Sequence, residues 1–453
     1  SLVQRVGRSG HSLTRTSEGV LVAVSTEDLL ESVAVIKLAR EGRLESTLIH
    51  TSALDVLAHQ IAGFLMDSEG STQLSRVKDV LHRAYPYQKL EDAKAEQVVE
   101  FMRKMGYLRR DGDTLYRTSR TRLYYFENLS MIPDERRYLV VDLTSQQSVG
   151  ILGEEFMVTK ARVGLNFIVK GRVWQIKQIA EDGKVYVLPV NDPMAAIPGW
   201  DGTILPVPGE LGARVGAYRR MVDGYLESGT APGPLVDKLS KEWSCDPYGV
   251  RRLIEEIRAH QATGAPVPTD QRFLVEGFDR YIVLHTHLGD ILNFTLGEVI
   301  EELFRRQGLV RMWWSDPYRI LFEMTADTAD LSLEELFQNQ TFGVTEQVLN
   351  GACHGVLHRH FPWQLHMKHV AERFGALPRG RLMYGDLMKE LALKFRLTPI
   401  YDETIREALM VHSDFDGVRT IFQKVKAGGL QLLFFRSKDK PTPLAYHILY
   451  RHV

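Results

Sequence analysis

The stretch "LRRDGDTLYRT" at residues 108–118 constrains this chain more tightly than any other. Its D-G-D step supplies the positive backbone φ that a tight hairpin needs, and the residues on either side read as short strands. Three helical periods lead up to it. "SALDVLAHQIAGFLM" places Leu54, Leu57, Ala58, Ile61 and Leu65 on one face. A second helix comes around "LSRVKDVLHRAY", and "KLEDAKAEQVVEFMRKMGYL" turns Val98, Val99, Phe101 and Met102 inward. Three helices closed by such a hairpin specify a winged helix, bounded at residues 46–125.

The flanks carry other patterns. Residues 1–45 read as a small α/β piece, with "GVLVAV" as a β-branched strand and "TEDLLESVAVIKLAREGRL" as a helix capped by Thr26. From 126 to 220, "RYLVVDL", "SVGIL", "RVGLNFIVKGRVWQIKQIAE" and "GKVYVLPV" alternate apolar and polar residues between glycine turns, which predicts a small antiparallel β-barrel. "GTAPGPLV" reads as a break, and residues 221–269 as a helical connector ending in a Pro/Gly-rich linker. Residues 270–453 form a last unit in which strands "RYIVLHTH", "LVRMWW" and "YRILFEM" surround the helix "LNFTLGEVIEELFRRQG", before a mostly helical run. The expected fold class is α+β, in several domains.

Composition excludes several roles. With 56 Lys+Arg against 57 Asp+Glu the net charge is −1, so contact with a polyanion must come from local basic faces. The two cysteines, Cys245 and Cys353, cannot build a disulfide framework, which predicts a reducing, cytoplasmic setting. No apolar run reaches the roughly 18 residues of a membrane span, so no membrane partner is expected, and the start lacks a secretion signal. A scan for G-x-x-x-x-G-K-[ST] finds no phosphate-binding loop. "DERR" at Asp134 comes after "SMIP", whose proline would end the strand an acidic magnesium box requires. The chain alone is therefore expected not to hydrolyse ATP.

"QRVGRSGH" at residues 4–11 sets Arg5 and Arg8 three apart, so that a turn at a helix start could aim both at one anion, with Gly7 and Gly10 permitting close backbone approach. The stretch resembles motif VI of superfamily-two helicases. The rest of the chain resembles one subgroup, the large helicase-related (Lhr) family: "DLLES" at Asp28–Ser32, "NLSMIPDERRYLV", "IPGWDG", "VLHTHLGDILN" and "KPTPLAYHIL" come in the right order. The resemblance implies that residues 1–45 are the end of a RecA-like motor lobe, with motifs I to V upstream of residue 1. It implies a parent helicase that moves 3′ to 5′ on single strands using ATP and Mg²⁺, serves DNA repair or recombination, and leaves most of the nucleotide site outside this chain, which alone binds no cofactor. By carry-over Arg8 is the arginine finger, with Arg5 and Gln4 in supporting contacts. His11 stands where many relatives have arginine.

For the tracked strand, residues 101–125 carry Arg103, Lys104, Arg109, Arg110, Arg117, Arg120 and Arg122 against two aspartates, running into Tyr124 and Tyr125. Cations interleaved with aromatic faces are what a phosphate track with base stacking needs. The Lhr resemblance adds Trp200, on the turn "AAIPGWDG", as a base-stacking residue, and Ile132, in "SMIPDE", as an apolar contact at a base. Expected partners are single-stranded DNA or an RNA–DNA hybrid, with a homo-oligomer as a further expectation. The histidines and cysteine between Cys353 and His369 include the pair His354 and His358 at zinc spacing, but no second tight pair, so they read as packing residues and no metal is assigned. Asp402 and Glu403 read as helix-start acids. Two alternatives stand beside the helicase reading: a DNA-glycosylase-like module using such a carboxylate, and a non-catalytic oligomerisation or partner-recruitment module.

Overall fold

The computed structural model describes residues 2–9, 17–45, 48–133, 135–159, 161–180, 182–191, 206–359, 363–380 and 386–452. The chain divides into two interleaved units. One gathers Ser1–Thr47, Leu205–His360 and His412–Val453, and the other Leu48–Ile204 and Phe361–Val411. The first unit begins with the short helix α1 (Leu2–Gly7) and with α2 (Thr26–Arg40). Ser25, rather than Thr26, caps α2 by accepting from the Asp28 N–H (3.1 Å), while the Thr26 hydroxyl donates to Glu256 (2.7 Å). "GVLVAV" forms no strand. Val20, Val22 and Val24 are 90%, 85% and 89% exposed, and β-branched residues make a strand only where a neighbour supplies the ladder; none does among the described residues.

The winged helix forms as its periods dictate. It runs α3 (Leu54–Asp67), β1 (Ser71–Gln73), α4 (Leu74–Arg83), α5 (Asp92–Lys104), β2 (Leu108–Asp111), β3 (Thr114–Arg117) and α6 (Ser119–Glu127). The sheet order is β1-β3-β2, antiparallel, and Gly112 makes the hairpin turn at φ +57°. Leu57, Ile61, Leu65, Val98 and Val99 are fully buried. α6 starts at a capping box in which Thr118 and Thr121 serve each other's backbone.

Next come β4 (Tyr138–Asp142), β5 (Ser148–Leu152), α7 (Glu154–Thr159), β6 (Asn166–Val169), β7 (Arg172–Ile179) and β8 (Val185–Pro189), in a sheet of order β5-β4-β8-β7-β6. The expected all-antiparallel barrel is corrected in one pairing: β4 and β8 run parallel. The sheet curls until its edges approach at Gly150, where an added Cβ would lie 2.9 Å from Val169. Only glycine allows that approach.

Residues 206–220, expected in the barrel, instead enter the first unit and begin α8 (Gly209–Glu227), followed by α9 (Pro232–Trp243) and α10 (Pro247–Gln261). The expected break at "GTAPGPLV" is the α8–α9 turn plus the first turn of α9, whose proline occupies the position where no N–H is needed. Then come β9 (Arg272–Phe278), β10 (Tyr281–His285), α11 (Asp290–Arg305), β11 (Val310–Asp316), β12 (Arg319–Met324) and α12 (Glu346–Arg359). The chain next crosses to the second unit with α13 (Trp363–Arg373), α14 (Asp386–Phe395) and α15 (Pro399–His412). Residues 270–453 are therefore not one unit: Met367, Val370, Phe374 and Ile400 are buried in the winged-helix core. α16 (Phe415–Lys426), β13 (Gln431–Arg436) and α17 (Pro443–His452) return to the first unit, completing a sheet of order β11-β12-β10-β9-β13 in which β13 pairs parallel to β9. α2 joins this unit through buried charge. Glu27 accepts from Arg219 (2.9 Å) and Arg319 (2.8 Å), both 1% exposed. Burial alone would raise the Glu27 carboxyl, but the two guanidinium charges hold it far below the usual range.

Candidate nucleic-acid interface

The seven basic residues of the winged helix fall into two sets. Arg103 and Lys104 lie against Glu100 (2.8 and 4.0 Å), and Arg110 against Glu96 (2.6 Å). These are internal pairs, and Arg110 braces α5 against the wing. Arg109, Arg117, Arg120 and Arg122 are exposed and have no carboxylate within ion-pair distance among the described residues. Three lie over aromatic rings: Arg109 over Tyr116 (4.4 Å), Arg120 over Tyr107 (5.6 Å) and Arg122 over Phe126 (5.7 Å). A guanidinium resting on a ring keeps its in-plane N–H donors free for phosphate.

Tyr124 is corrected outright. It is 2% exposed, stacks on Tyr107 at 4.5 Å, and donates to the Arg373 carbonyl (3.2 Å), so no base can reach its face. Burial pushes its phenol far above the ordinary value. Thr121, Tyr124 and Asn128 form the inward side of α6 and the residue after it, and Leu123, Phe126 and Leu129 are exposed at 59%, 51% and 60%. Sequence reasoning missed this apolar strip; the "TSRT" capping box was the available signal, because it fixes the helical phase.

Ile132 is 77% exposed and takes no part in the core of the sheet. Its N–H donates to the Ser130 hydroxyl (3.2 Å). It lines a small crevice with His369, Glu372, Arg373 and Arg379. Two arginines hold the α13–α14 loop against this turn: Arg379 donates to the Ser130 carbonyl (2.6 Å), and Arg136 to the Gly380 carbonyl (2.8 Å). Gly375 in that loop has φ +68°, and an added Cβ would meet the Tyr107 hydroxyl at 2.5 Å. Trp200, with the rest of "IPGWDG", lies outside the described residues, as do Asp134, His11 and Gly10.

Beneath the interface are two ionic clusters that the sequence did not reveal. Lys368 is fully buried between Glu154 (2.8 Å) and Glu372 (3.0 Å), with His369 beside Glu154 (3.3 Å). Burial alone would raise the Glu154 carboxyl, but the His369 hydrogen bond and Lys368 outweigh it and the net shift is downward. The second cluster joins Asp55, Glu403 and Glu407, whose carboxylate oxygens converge within 4.8 Å. Arg373 binds Asp55 (2.5 Å) and Glu407, Arg406 binds Glu403 (2.5 Å), and His366 meets Glu407 (2.8 Å). The guanidiniums supply the positive charge a cation would bring, so the cluster reads as an ion network. Burial, with the Asp55 charge adding to it, raises Glu403 to about 7 against the pull of Arg406. In Glu407 the His366 hydrogen bond and Arg373 charge outweigh burial and lower the carboxyl to about 2. Glu403 is 0% exposed and so is no open acid for base excision, and Asp402 is paired with Lys94 (2.5 Å). Of the cysteine and histidines weighed for zinc, Cys353 and His354 belong to one unit and His366 and His369 to the other.

In the first unit, Gln4 and Arg5 are exposed on α1 and Arg8 is exposed just past its end. The expected turn at a helix start is corrected: the arginines flank a helix C-terminus, where the backbone dipole favours cations and offers an anion no N–H groups.

Together the folds define a winged-helix protein with a curled β-sheet and a separate mixed α/β unit. Residues 37–196 match the family described as large helicase-related protein, winged helix domain, and residues 267–445 the family described as DEAD/H associated. The chain belongs to the large helicase-related family. It is 26% identical to the ATP-dependent helicase Lhr-Core of Saccharolobus solfataricus, over 99% of this chain and 54% of that protein. It is 25% identical to a Mycolicibacterium smegmatis protein named Lhr helicase/probable uracil glycosylase, over 100% of this chain and 31% of that one. The solved structure of Mycobacterium smegmatis helicase Lhr bound to ssDNA and AMP-PNP shares the fold, with a TM-score of 0.68 at 20% identity, over 99% of this chain and 54% of that chain. The chain spans about half the length of the Lhr-Core relative it matches. No described helix is long and apolar enough to cross a membrane.

Proposed function

We propose that this chain is the C-terminal region of an ATP-dependent 3′–5′ helicase, holding the tracked single strand and buttressing the motor, in DNA repair or recombination. The observation that carries the reading is the set of four exposed arginines without carboxylate partners, leading along α6 to the exposed Ile132. In a chain of net charge −1, such local concentration is what backbone binding requires. The relatives named as ATP-dependent helicases, and the solved relative bound to ssDNA and AMP-PNP, support both the strand and the nucleotide. In the parent, Arg8 would meet the nucleotide's γ-phosphoryl charge, with Arg5 and Gln4 beside it and Mg²⁺ held by residues outside this chain. Residues 1–45 would close the second motor lobe. An RNA–DNA hybrid is the alternative partner.

The test is binding of a mixed-sequence single strand to the purified chain and to Trp200→Ala. Trp200→Ala is expected to weaken binding by roughly 1–3 kcal/mol, the value of one stacked base, with an unchanged salt slope. Absence of single-strand binding by the wild-type chain would overturn the reading. Unchanged affinity in the variant, with a lower melting temperature, would make Trp200 a structural lid.

A further inference from the structure

An open groove of about 470 Å³ lies in the second unit between α6 and the loop after α13. Its walls include Arg120, Leu123, Glu127, Leu377, Pro378 and Arg379. The volume falls within the roughly 300–1,000 Å³ of small-ligand sites. Glu372, also in the lining, pairs with Lys368 (3.0 Å), a cation it shares with Glu154 (2.8 Å). The mouth carries the guanidiniums of Arg120 and Arg379 beside the carboxylate of Glu127. Arg120 lies over the Tyr107 ring, which fixes its direction. Arg379 is anchored on the rim by the Ser130 carbonyl (2.6 Å) and the Asn128 side-chain oxygen (3.3 Å). Leu123 and Pro378 are exposed apolar surface on facing walls. The groove and the crevice at Ile132 share Glu372 and Arg379 in their linings.

We infer that this groove is a nucleotide pocket, taking one unstacked base of the bound single strand with its phosphate on Arg120 and Arg379. The ring lies between Leu123 and the Leu377–Pro378 wall, and Glu127 accepts from the base's amino or imino hydrogens. The rigid floor suits this use. Tyr107 and Tyr124 stack beneath it, and the backbone carbonyl of Gly375 accepts the Tyr107 hydroxyl (2.8 Å). A base held here is withdrawn from the stack of its neighbours just beyond the one at Ile132. The inference rests on the single-strand reading and adds a second base contact to it.

The experiment places 2-aminopurine at each position of a short single strand in turn and measures its emission and affinity with the full chain. Two variants block the groove from exposed positions that the fold does not need: Leu123→Glu puts a charge repelling phosphate at the mouth, and Pro378→Trp fills it. One position is expected to change emission on binding to the wild type. Both variants should lose that change and bind about tenfold more weakly, a loss of one good contact, with unchanged melting temperatures. If both variants keep wild-type affinity and emission while Arg109→Ala weakens binding, the pocket is overturned and the single-strand reading stands. If the wild-type chain binds no strand, both fall together.

Discussion

Glu403 sits at the junction of α3, α13 and α15, fully buried, accepting the Leu54 N–H (2.9 Å) and paired with Arg406. Its raised value of about 7, against 4.5 ordinarily, has a definite sign. The native state retains a proton that the unfolded chain releases. The stability this represents is full below about pH 4.5 and is lost as pH rises through 7. Glu407, lowered to about 2, acts oppositely: its contribution is present above pH 4.5 and is lost only as pH falls through 2. The melting temperature of the wild type is therefore expected to fall between pH 5 and 8 relative to Glu403→Gln, by the equivalent of on the order of 3 kcal/mol. Parallel profiles for the two proteins would remove Glu403 as the titrating group. None of this was legible in "TPIYDETIREAL", where an acid near a helix start reads as a capping residue; only the partners Asp55 and Arg373, more than 300 residues apart in the chain, reveal its role. Tyr124 failed for a different reason. Its neighbours Arg120 and Arg122 suggested a stacking platform, but stacking depends on helical phase, and the phase of α6 turns positions 121, 124 and 128 inward.

At the scale of elements, local signals were readable and distant ones were not. The winged helix depends on 3.6-residue periods and a D-G turn, each contained in a dozen residues, and it forms where expected. The parallel pairs β4–β8 and β9–β13, and the passage of α13 to α15 into the winged-helix unit, depend on contacts between segments far apart in sequence. The attachment of α2 belongs to the same class. Glu27 is sealed between Arg219 and Arg319, so Glu27→Gln leaves two buried guanidiniums poorly compensated. This substitution is expected to cost about 3–5 kcal/mol in urea unfolding. Glu41→Gln breaks the half-exposed pair with Arg214 (2.6 Å) and should cost about 1 kcal/mol or less. Equal effects from the two would mean that α2 is held by apolar contacts such as Leu30 and Val33 rather than by its buried charge.

On the proposed function the molecule divides its labour, with strand binding in the winged-helix unit and a share of a nucleotide site at α1. Without a phosphate-binding loop in its sequence, the purified chain is expected to show no ATP hydrolysis above background. In the full-length parent, Arg8→Ala should lower turnover by roughly 10³-fold or more while single-strand binding persists. Strand-stimulated hydrolysis by the chain alone would contradict this division. Whether the strand lies on the winged-helix arginines is read from the slope of log affinity for a single strand against log salt. Replacing Arg109, Arg117, Arg120 and Arg122 together by alanine should reduce that slope by about 3, at roughly 0.7 per phosphate contact, whereas Arg110→Ala, which breaks an internal pair with Glu96, should leave it unchanged. A slope that survives loss of the four arginines, or one that falls as steeply with Arg110→Ala, would place the strand elsewhere on the molecule.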